Sequence, residues 1–193
     1  YVVEIVTREG EKLLADISRQ ASGIVAVNGA VARFVDASYV IPNAFDPDLA
    51  TAWQPPDPED FVIGVMGTLN EMLPIAPLIE LLRSLRQHQP DLFERVRLVH
   101  AGDVDPDWLT RQLQQAALTD RMTSWGFLPR DEAFRKLSGA AVFYLGLANQ
   151  MDLGVTTARI YDIIASGRPI LACLPGEGEL SQLLREFDHT CVY

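Results

Sequence analysis

Short apolar runs alternate with stretches of helical periodicity from Phe61 onwards, and this alternation restricts the possible folds more than any other feature. Runs typical of buried strands begin at Phe61, Val96, Ala141 and Pro169. Between them, apolar residues recur three and four positions apart, as they do in an amphipathic helix. The strand–helix unit repeats about every 25 to 35 residues, a spacing typical of βαβ units. We therefore predict an α/β fold: a Rossmann-like parallel sheet with helices on both faces.

The part of the chain before this alternation is organised differently. Residues 8–20 have helical spacing, two short strand-like segments follow at 23–27 and 39–41, and residues 54–60 are rich in proline and acidic side chains. These elements are too few to bury a core of their own. We predict that residues 1–58 are the end of a missing N-terminal domain with its linker, and that 59–193 form the Rossmann-like domain. Because the chain starts at Tyr1 and residues 190–193 resemble an uncovered strand, we expect an excised fragment of a longer protein.

The charge and the cysteines restrict the partners and the compartment. Sixteen Lys and Arg residues against 26 Asp and Glu give a formal net charge of −10, which repels nucleic acid and anionic lipid surfaces. We therefore expect no nucleic-acid partner and no direct membrane binding. Cys173 and Cys191 lie in apolar stretches without metal-ligand spacing. They are typical of reduced thiols in a cytoplasmic protein, and we expect no protein-bound metal.

Ligands of open α/β sheets bind beyond the carboxyl ends of the strands, so the loops at these ends are the candidate sites. The loop after Met66 contains Gly67, and a helix predicted soon after Asn70 would bring backbone amides towards a phosphate. A tight βα turn also explains this glycine, and a single glycine favours that explanation. The chain has neither a G-x-G-x-x-G sequence after the strand nor a P-loop GK[ST] sequence, so a conventional NAD site and a P-loop NTPase are not supported.

Residues 154–172 are the most informative stretch. We predict a helix over 156–166, capped by Thr156 or Thr157, with Arg159 in its first turn and Asp162 three residues later. A cation in the first turn opposes the helix dipole, and a bound anion would offset that cost. Alternatively, Arg159 and Asp162 form an ordinary i, i+3 surface ion pair.

Several segments resemble, in order and spacing, the C-terminal half of GT-B glycosyltransferases. The similarity is greatest to the retaining nucleotide-sugar-dependent group, with its PNG-D linker and its K-x-x-E-Y-x-A-x-G-x-P donor helix. The matching segments are Val40-Ile41-Pro42-Asn43-Ala44-Phe45-Asp46, Gly67, Val99-His100-Ala101-Gly102, residues 125–132 (Trp-Gly-Phe-Leu-Pro-Arg-Asp-Glu) and residues 159–172. The resemblance implies a donor domain for a UDP- or GDP-sugar, a separate N-terminal acceptor domain, and no cofactor beyond the donor substrate.

The resemblance also implies roles for individual residues. Asp162 matches the acid that binds the ribose hydroxyls, and Arg159 matches the basic residue near the diphosphate. Gly67 matches the glycine of the first phosphate loop, while Thr156 and Thr157 match a helix start that meets phosphate oxygens. The loop that lies against the base corresponds to Gly126, Phe127 and Leu128.

Three departures from the family pattern keep other functions open. Asp162 replaces Glu, Gly154 stands where some members have a second acid, and residues 68–76 contain no Lys or Arg. We expect weaker donor binding than in the family and an inactive isolated fragment. A non-catalytic interaction module derived from a transferase is one alternative. A UDP-sugar 2-epimerase-like isomerase is the other, with His100 as its one acid/base candidate; a buried, hydrogen-bonded histidine also fits this position.

Overall fold

The computed structural model describes residues 2–50, 53–56, 58–148, 154 and 156–187. The N-terminal segment consists of short elements around one long helix. They are helix α1 (Val2–Gln20), strand β1 (Val25–Ala26), helix α2 (Gly29–Val35), strand β2 (Tyr39–Val40) and helix α3 (Pro47–Ala50). Strands β1 and β2 pair in parallel as a two-stranded sheet.

The rest of the described chain alternates between strand and helix. Its elements are β3 (Phe61–Met66), α4 (Ala76–His88), α5 (Pro90–Arg95), β4 (Val96–Ala101), α6 (Pro106–Ala116), a 3-10 turn (Thr119–Arg121), β5 (Met122–Ser124), α7 (Arg130–Leu137), β6 (Val142–Gly146), α8 (Arg159–Ala165), β7 (Ile170–Cys173) and α9 (Glu179–Glu186). The five strands form one sheet in the order β5-β4-β3-β6-β7, and every pairing is parallel. The predicted Rossmann-like α/β fold is confirmed.

Helices cover both faces of this sheet because successive side chains of a strand point to opposite faces, and here both sets are apolar. On one face, Ile63, Val65 and Leu98 pack against apolar residues of α4 and α6. On the other face, Phe143, Leu145 and Ile170 pack against α7, α8 and α9. The sheet is therefore buried on both sides, which is why its strands appear in the sequence as continuous apolar runs.

The N-terminal segment is much less buried than the sheet. Helix α2 has no buried residue, and the apolar residues Leu13 and Ile17 of α1 are 61% and 55% exposed. Trp53 is an exception, since its ring lies 5.3 Å from Phe134 and 5.4 Å from Phe143. This segment therefore rests on the Rossmann-like part through a few contacts and has little core of its own.

The sequence-based prediction missed three helices and misplaced three helix starts, those of α1, α4 and α8. Helices α2, α3 and α5 were not predicted. They are short and begin at Gly29, Pro47 and Pro90, residues that usually indicate turns. The predicted final strand at 190–193, Cys191 and the loop 149–153 lie outside the described residues. Within the described part of the chain, no helix combines the length and the apolar character needed to span a membrane.

Candidate functional site

A cleft lies at the carboxyl ends of the central strands, where the direction of chain winding reverses. From β3 the chain continues to β4 on one side, whereas β6 pairs with the other side of β3 and continues to β7. Such a reversal point is where open α/β sheets bind ligands. The cleft encloses about 580 Å³, a volume that suits a small organic ligand. It is lined by Met66, Gly67, Thr68, Ala101, Gly102, Asp103, Phe127, Leu128, Arg130, Ala133, Phe134, Arg159 and Asp162.

Gly67 forms the floor of the cleft directly after β3. Its φ of +90° lies in the region that only glycine adopts without strain, and its N–H donates to the carbonyl oxygen of Ala101 at 2.8 Å. Added to Gly67, a Cβ would also lie 2.6 Å from Nη1 of Arg159. Glycine is therefore required here both by the backbone and by the guanidinium packed on it.

The predicted helix start beside Gly67 is wrong. Helix α4 begins only at Ala76, after Ile75 as its N-cap. Asn70 interrupts the predicted helix because its side-chain oxygen accepts from the N–H groups of Met72 and Leu73, each at 2.9 Å. This local turn satisfies the amides that a helix would have exposed. The amides of α4 therefore do not lie next to Gly67.

His100, the candidate acid/base residue, is fully buried behind the Gly67 loop. Its Nε2 is 2.8 Å from the carbonyl oxygen of Gly67, and its Nδ1 is 2.8 Å from the hydroxyl of Ser124. Because a carbonyl only accepts, Nε2 carries the proton, and Nδ1 accepts from Ser124. Burial lowers the pKa of His100, which favours this neutral form. His100 holds the loop in place and has no face on the cleft.

Arg159 packs its guanidinium against the Gly67 loop. Its Nη1 donates to the carbonyl oxygens of Met66 and Thr68. The alternative reading of an Arg159–Asp162 ion pair is wrong, since Arg159 binds main-chain carbonyls and Asp162 binds another arginine. These carbonyls explain how a cation is tolerated in the first turn of α8, where it opposes the helix dipole.

The predicted threonine cap is also wrong. Helix α8 begins at Arg159, its N-cap is Ala158, and no side chain caps it. Thr157 instead accepts from the N–H of Ile160 through its carbonyl oxygen, at 3.1 Å. The hydroxyl of Thr157 is buried and has no hydrogen-bond partner among the described residues. A tight turn therefore takes the place of the predicted first helical turn.

Thr156 faces a second cavity of about 370 Å³, which it shares with Asn28, with Val27 just after β1 and with apolar residues of α2. Asn28 is buried, and both the oxygen and the nitrogen of its side-chain amide form hydrogen bonds. Its oxygen accepts from the N–H of Val31 at 2.9 Å and so caps α2. Its nitrogen donates to the carbonyl oxygen of Gly154 at 2.7 Å and to Oγ1 of Thr156 at 3.1 Å. Asn28 thus joins the N-terminal segment to the chain that precedes α8.

Asp162 is the buried carboxylate of the cleft, with 11% of its side chain exposed. Its Oδ1 accepts from Nη2 of Arg130 at 2.6 Å. Burial raises the pKa of Asp162, Arg130 opposes that rise, and the nearby carboxylate of Asp46 adds to it. A buried carboxylate in a cleft is unfavourable for stability because it loses hydration, so it is a candidate for a functional residue.

The predicted base loop forms the rim of the cleft. Gly126 has a φ of +69°, and its carbonyl oxygen accepts from the N–H of Gly102 at 2.8 Å. Leu128 is partly buried against the core. Phe127 is 81% exposed although it lines the cleft. This turn therefore directs an aromatic ring to a surface that the protein itself does not cover.

The structure brings five of the predicted residues into one cleft: Gly67, Phe127, Leu128, Arg159 and Asp162. Gly126 lies at its rim, whereas Thr156 lines the second cavity. Sequence reasoning missed Arg130, Asp103 and Asn28 as site residues. Arg130 was within one of the resembling segments, but no local pattern indicated that it would pair with Asp162, 32 residues later.

The described residues contain no group of three or more His, Cys, Asp or Glu side chains that could hold a metal ion. The cationic groups of the cleft are instead the guanidinium groups of Arg130 and Arg159.

Comparison with solved structures identifies the fold. TarM matches 93% of this chain with 38% of its own length, at 12% identity and a TM-score of 0.61. WaaG, a glycosyltransferase involved in lipopolysaccharide biosynthesis, matches 83% of this chain with 45% of its own, at 12% identity and a TM-score of 0.65. AviGT4, a glycosyltransferase involved in avilamycin A biosynthesis, matches 88% of this chain with 49% of its own length, at 15% identity and a TM-score of 0.57.

The chain therefore has the fold of one half of a GT-B glycosyltransferase, and it spans less than half the length of these three proteins. No protein-family model matches the sequence, and no curated protein matches it.

Proposed function

We propose that this chain is the donor-binding half of a glycosyltransferase, which moves a sugar from a UDP- or GDP-sugar to an acceptor. The observation that carries the proposal is the joint position of Gly67, Arg159 and Asp162 in one cleft at the reversal point of the sheet. Asp162 offers a carboxylate to ribose hydroxyls, and Arg159 offers a guanidinium to the diphosphate. The fold comparison supports the same reading, since a structure of TarM from S. aureus was determined in complex with UDP.

The chemistry of sugar transfer suits these groups. When the bond between sugar and nucleotide breaks, negative charge develops on the departing diphosphate and must be stabilised. A guanidinium provides fixed positive charge and directed N–H donors at such a group. The proposal therefore requires no protein-bound metal or other cofactor. It assigns the residues of this chain to donor binding and leaving-group stabilisation, and leaves the acceptor to other residues.

The acceptor is assigned to an N-terminal domain joined to this chain. Two features support that assignment. The chain corresponds to less than half of each of the solved glycosyltransferases compared above. In addition, β1 and β2 form a sheet of only two strands, in which Val25, Tyr39 and Val40 are 56%, 66% and 49% exposed, and so small a sheet needs further strands or packing partners for stability.

Nucleotide titration tests the proposal. UDP and GDP are titrated calorimetrically into the wild-type chain, Asp162→Ala and the control Asp131→Ala, which removes an exposed carboxylate of α7. We expect the wild type and Asp131→Ala to bind one of the two nucleotides, and Asp162→Ala to bind it at least about 10-fold more weakly. Absence of binding of both nucleotides to the wild type would overturn the proposal.

One observation favours a second function, that of an interaction module without catalysis. Residues 68–76 provide no basic side chain, and the cleft is lined by two aspartates as well as two arginines. If this function is correct, the folded wild-type chain will bind neither nucleotide in the titration above. The isomerase alternative lacks support, because His100 is buried with both ring nitrogens bonded.

A further inference from the structure

Arg130 is a cation in the cleft that belongs to neither the phosphate loop nor helix α8. It is the first residue of α7 and lines the cleft together with Gly67 and Arg159. Its guanidinium carbon lies 5.7 Å from the centre of the Phe134 ring, and its Nη2 donates to Asp162 at 2.6 Å. Two contacts, one within α7 and one to α8, therefore fix the direction of this side chain.

Arg130 keeps donors available in spite of these contacts. Half of its side chain, 52%, is exposed, and a guanidinium carries five N–H donors. The bond to Asp162 is its one hydrogen bond within the described part of the chain. The remaining donors of Arg130 can therefore bind a ligand without breaking that bond.

The charges around the cleft explain why a second cation is needed. Its lining contains the carboxylates of Asp103 and Asp162 and the guanidinium groups of Arg130 and Arg159. Without Arg130 the lining would be net negative and would repel a diphosphate. Arg159 has fewer donors left for an anion, because its Nη1 is already engaged by the carbonyl oxygens of Met66 and Thr68.

We infer that Arg130 binds the diphosphate of the nucleotide and that Asp162 positions it for this role. This inference rests on the proposed function and adds a residue to it. Arg130 supplies, from the start of α7, the positive charge that residues 68–76 lack. Asp162 then has two tasks, since one oxygen holds Arg130 and the other remains for the ribose.

The experiment compares ligands that differ in phosphate number. Uridine, UMP and UDP, or guanosine, GMP and GDP if the wild type prefers GDP, are titrated into wild type, Arg130→Gln and Arg135→Gln. Arg135→Gln is the matched control, since Arg135 lies on the same helix, is 66% exposed and pairs with Asp131 at 3.2 Å, outside the cleft. Thermal unfolding checks that each variant is folded.

We expect Arg130→Gln to weaken diphosphate binding about 10-fold or more, to leave nucleoside binding within about 2-fold, and to reduce the salt dependence of diphosphate binding. Arg130→Lys should recover part of the diphosphate affinity, because it keeps the charge and loses the planar fork. Arg135→Gln should resemble the wild type with all three ligands.

Two outcomes would overturn the inference alone. The first is equal diphosphate affinity of Arg130→Gln and wild type. The second is an equal loss for the nucleoside and the diphosphate, which would mean that Arg130 acts only by shaping the site around Asp162. Failure of the wild type to bind any of these ligands would overturn the proposed function and this inference together.

Discussion

The backbone of Gly67 passes so close to Gly102 that a Cβ on Gly102 would lie 2.1 Å from the carbonyl oxygen of Gly67 and 2.5 Å from its Cα. All of these contacts are with main-chain atoms, so no change of side-chain rotamer could relieve them. The loops after β3 and β4 can therefore approach this closely only because residue 102 has no side chain. The same carbonyl oxygen accepts from His100, and the two contacts together fix the floor of the cleft.

Gly102→Ala is therefore expected to destabilise the protein and to disturb the cleft. The added methyl must displace the Gly67 loop, and overpacking of this kind costs about 1–3 kcal/mol. Urea unfolding measures the free energy, and nucleotide titration measures the cleft. Gly139→Ala is the control, because nothing lies within 4 Å of its added Cβ and its φ is not positive. Similar stability of the two variants would contradict the steric argument.

Asn28 is predicted to stabilise two parts of the chain through the two ends of its amide. Asn28→Ala removes the cap of α2 and the bonds to Gly154 and Thr156, so we expect a loss of about 1–3 kcal/mol. Asn28→Ser restores a good N-cap but cannot reach Thr156. The difference in unfolding free energy between the two variants therefore measures the cap, and the remaining loss in Asn28→Ser measures the junction.

Hydrogen exchange distinguishes the two effects of Asn28. With Asn28→Ser, faster exchange is expected at Ile160 and Tyr161, whose N–H groups bond to Thr157 and Ala158 in the turn that starts α8. Exchange within α2 should stay close to that of the wild type. An increase confined to α2 in both variants would contradict a link across the junction.

The fold was predictable because its signals are local. A buried parallel strand needs apolar residues on both faces, and the runs from Phe61 and Val96 have this property. The helices between them have one apolar face each, which repeats with the helical period. Gly67 could be placed at the cleft because strand ends of a parallel sheet share one edge, whereas Asp162 could be placed there only through the resemblance to the glycosyltransferase donor helix.

The predictions that were wrong concern features that depend on contacts between distant residues or on short turns. Asn70 satisfies local amides with its side chain and delays α4, although the sequence before Ala76 permits a helix. The partner of Asp162 is Arg130 rather than Arg159 because α7 and α8 lie side by side on one face of the sheet. The spacing of residues along α8 cannot reveal that neighbour.

Phe127 is expected to contribute to nucleotide binding but not to stability. Its ring is 81% exposed, so Phe127→Ala should change the unfolding free energy by less than about 0.5 kcal/mol. Stacking of a base on an aromatic ring contributes about 1–3 kcal/mol, so nucleotide affinity should fall between about 5-fold and about 150-fold. Phe187→Ala removes an exposed ring outside the cleft and is the control. Unchanged nucleotide affinity in Phe127→Ala would contradict the prediction that Phe127 contacts the base.

The burial of His100 predicts a dependence of stability on pH. In the unfolded chain the imidazole takes up a proton near its ordinary pKa of 6.5, whereas burial lowers the pKa of His100 in the folded protein. Below about pH 6.5 the unfolded state therefore binds more protons than the folded state, and the free energy of unfolding falls as the pH falls. Above pH 6.5 the neutral, buried His100 causes no loss of stability. Below it, the free energy of unfolding falls by at most about 1.4 kcal/mol per pH unit, because one proton is involved.

His100→Gln tests this prediction, because glutamine keeps a nitrogen donor for the carbonyl oxygen of Gly67 and does not titrate. Urea unfolding between pH 5 and pH 7.5 should give a flatter curve for His100→Gln than for the wild type, with the two differing most at the acid end. His88→Gln, which removes an exposed imidazole from the end of α4, controls for the loss of one histidine. Parallel curves for wild type and His100→Gln would contradict the prediction, because they would mean that folding leaves the pKa of His100 unchanged.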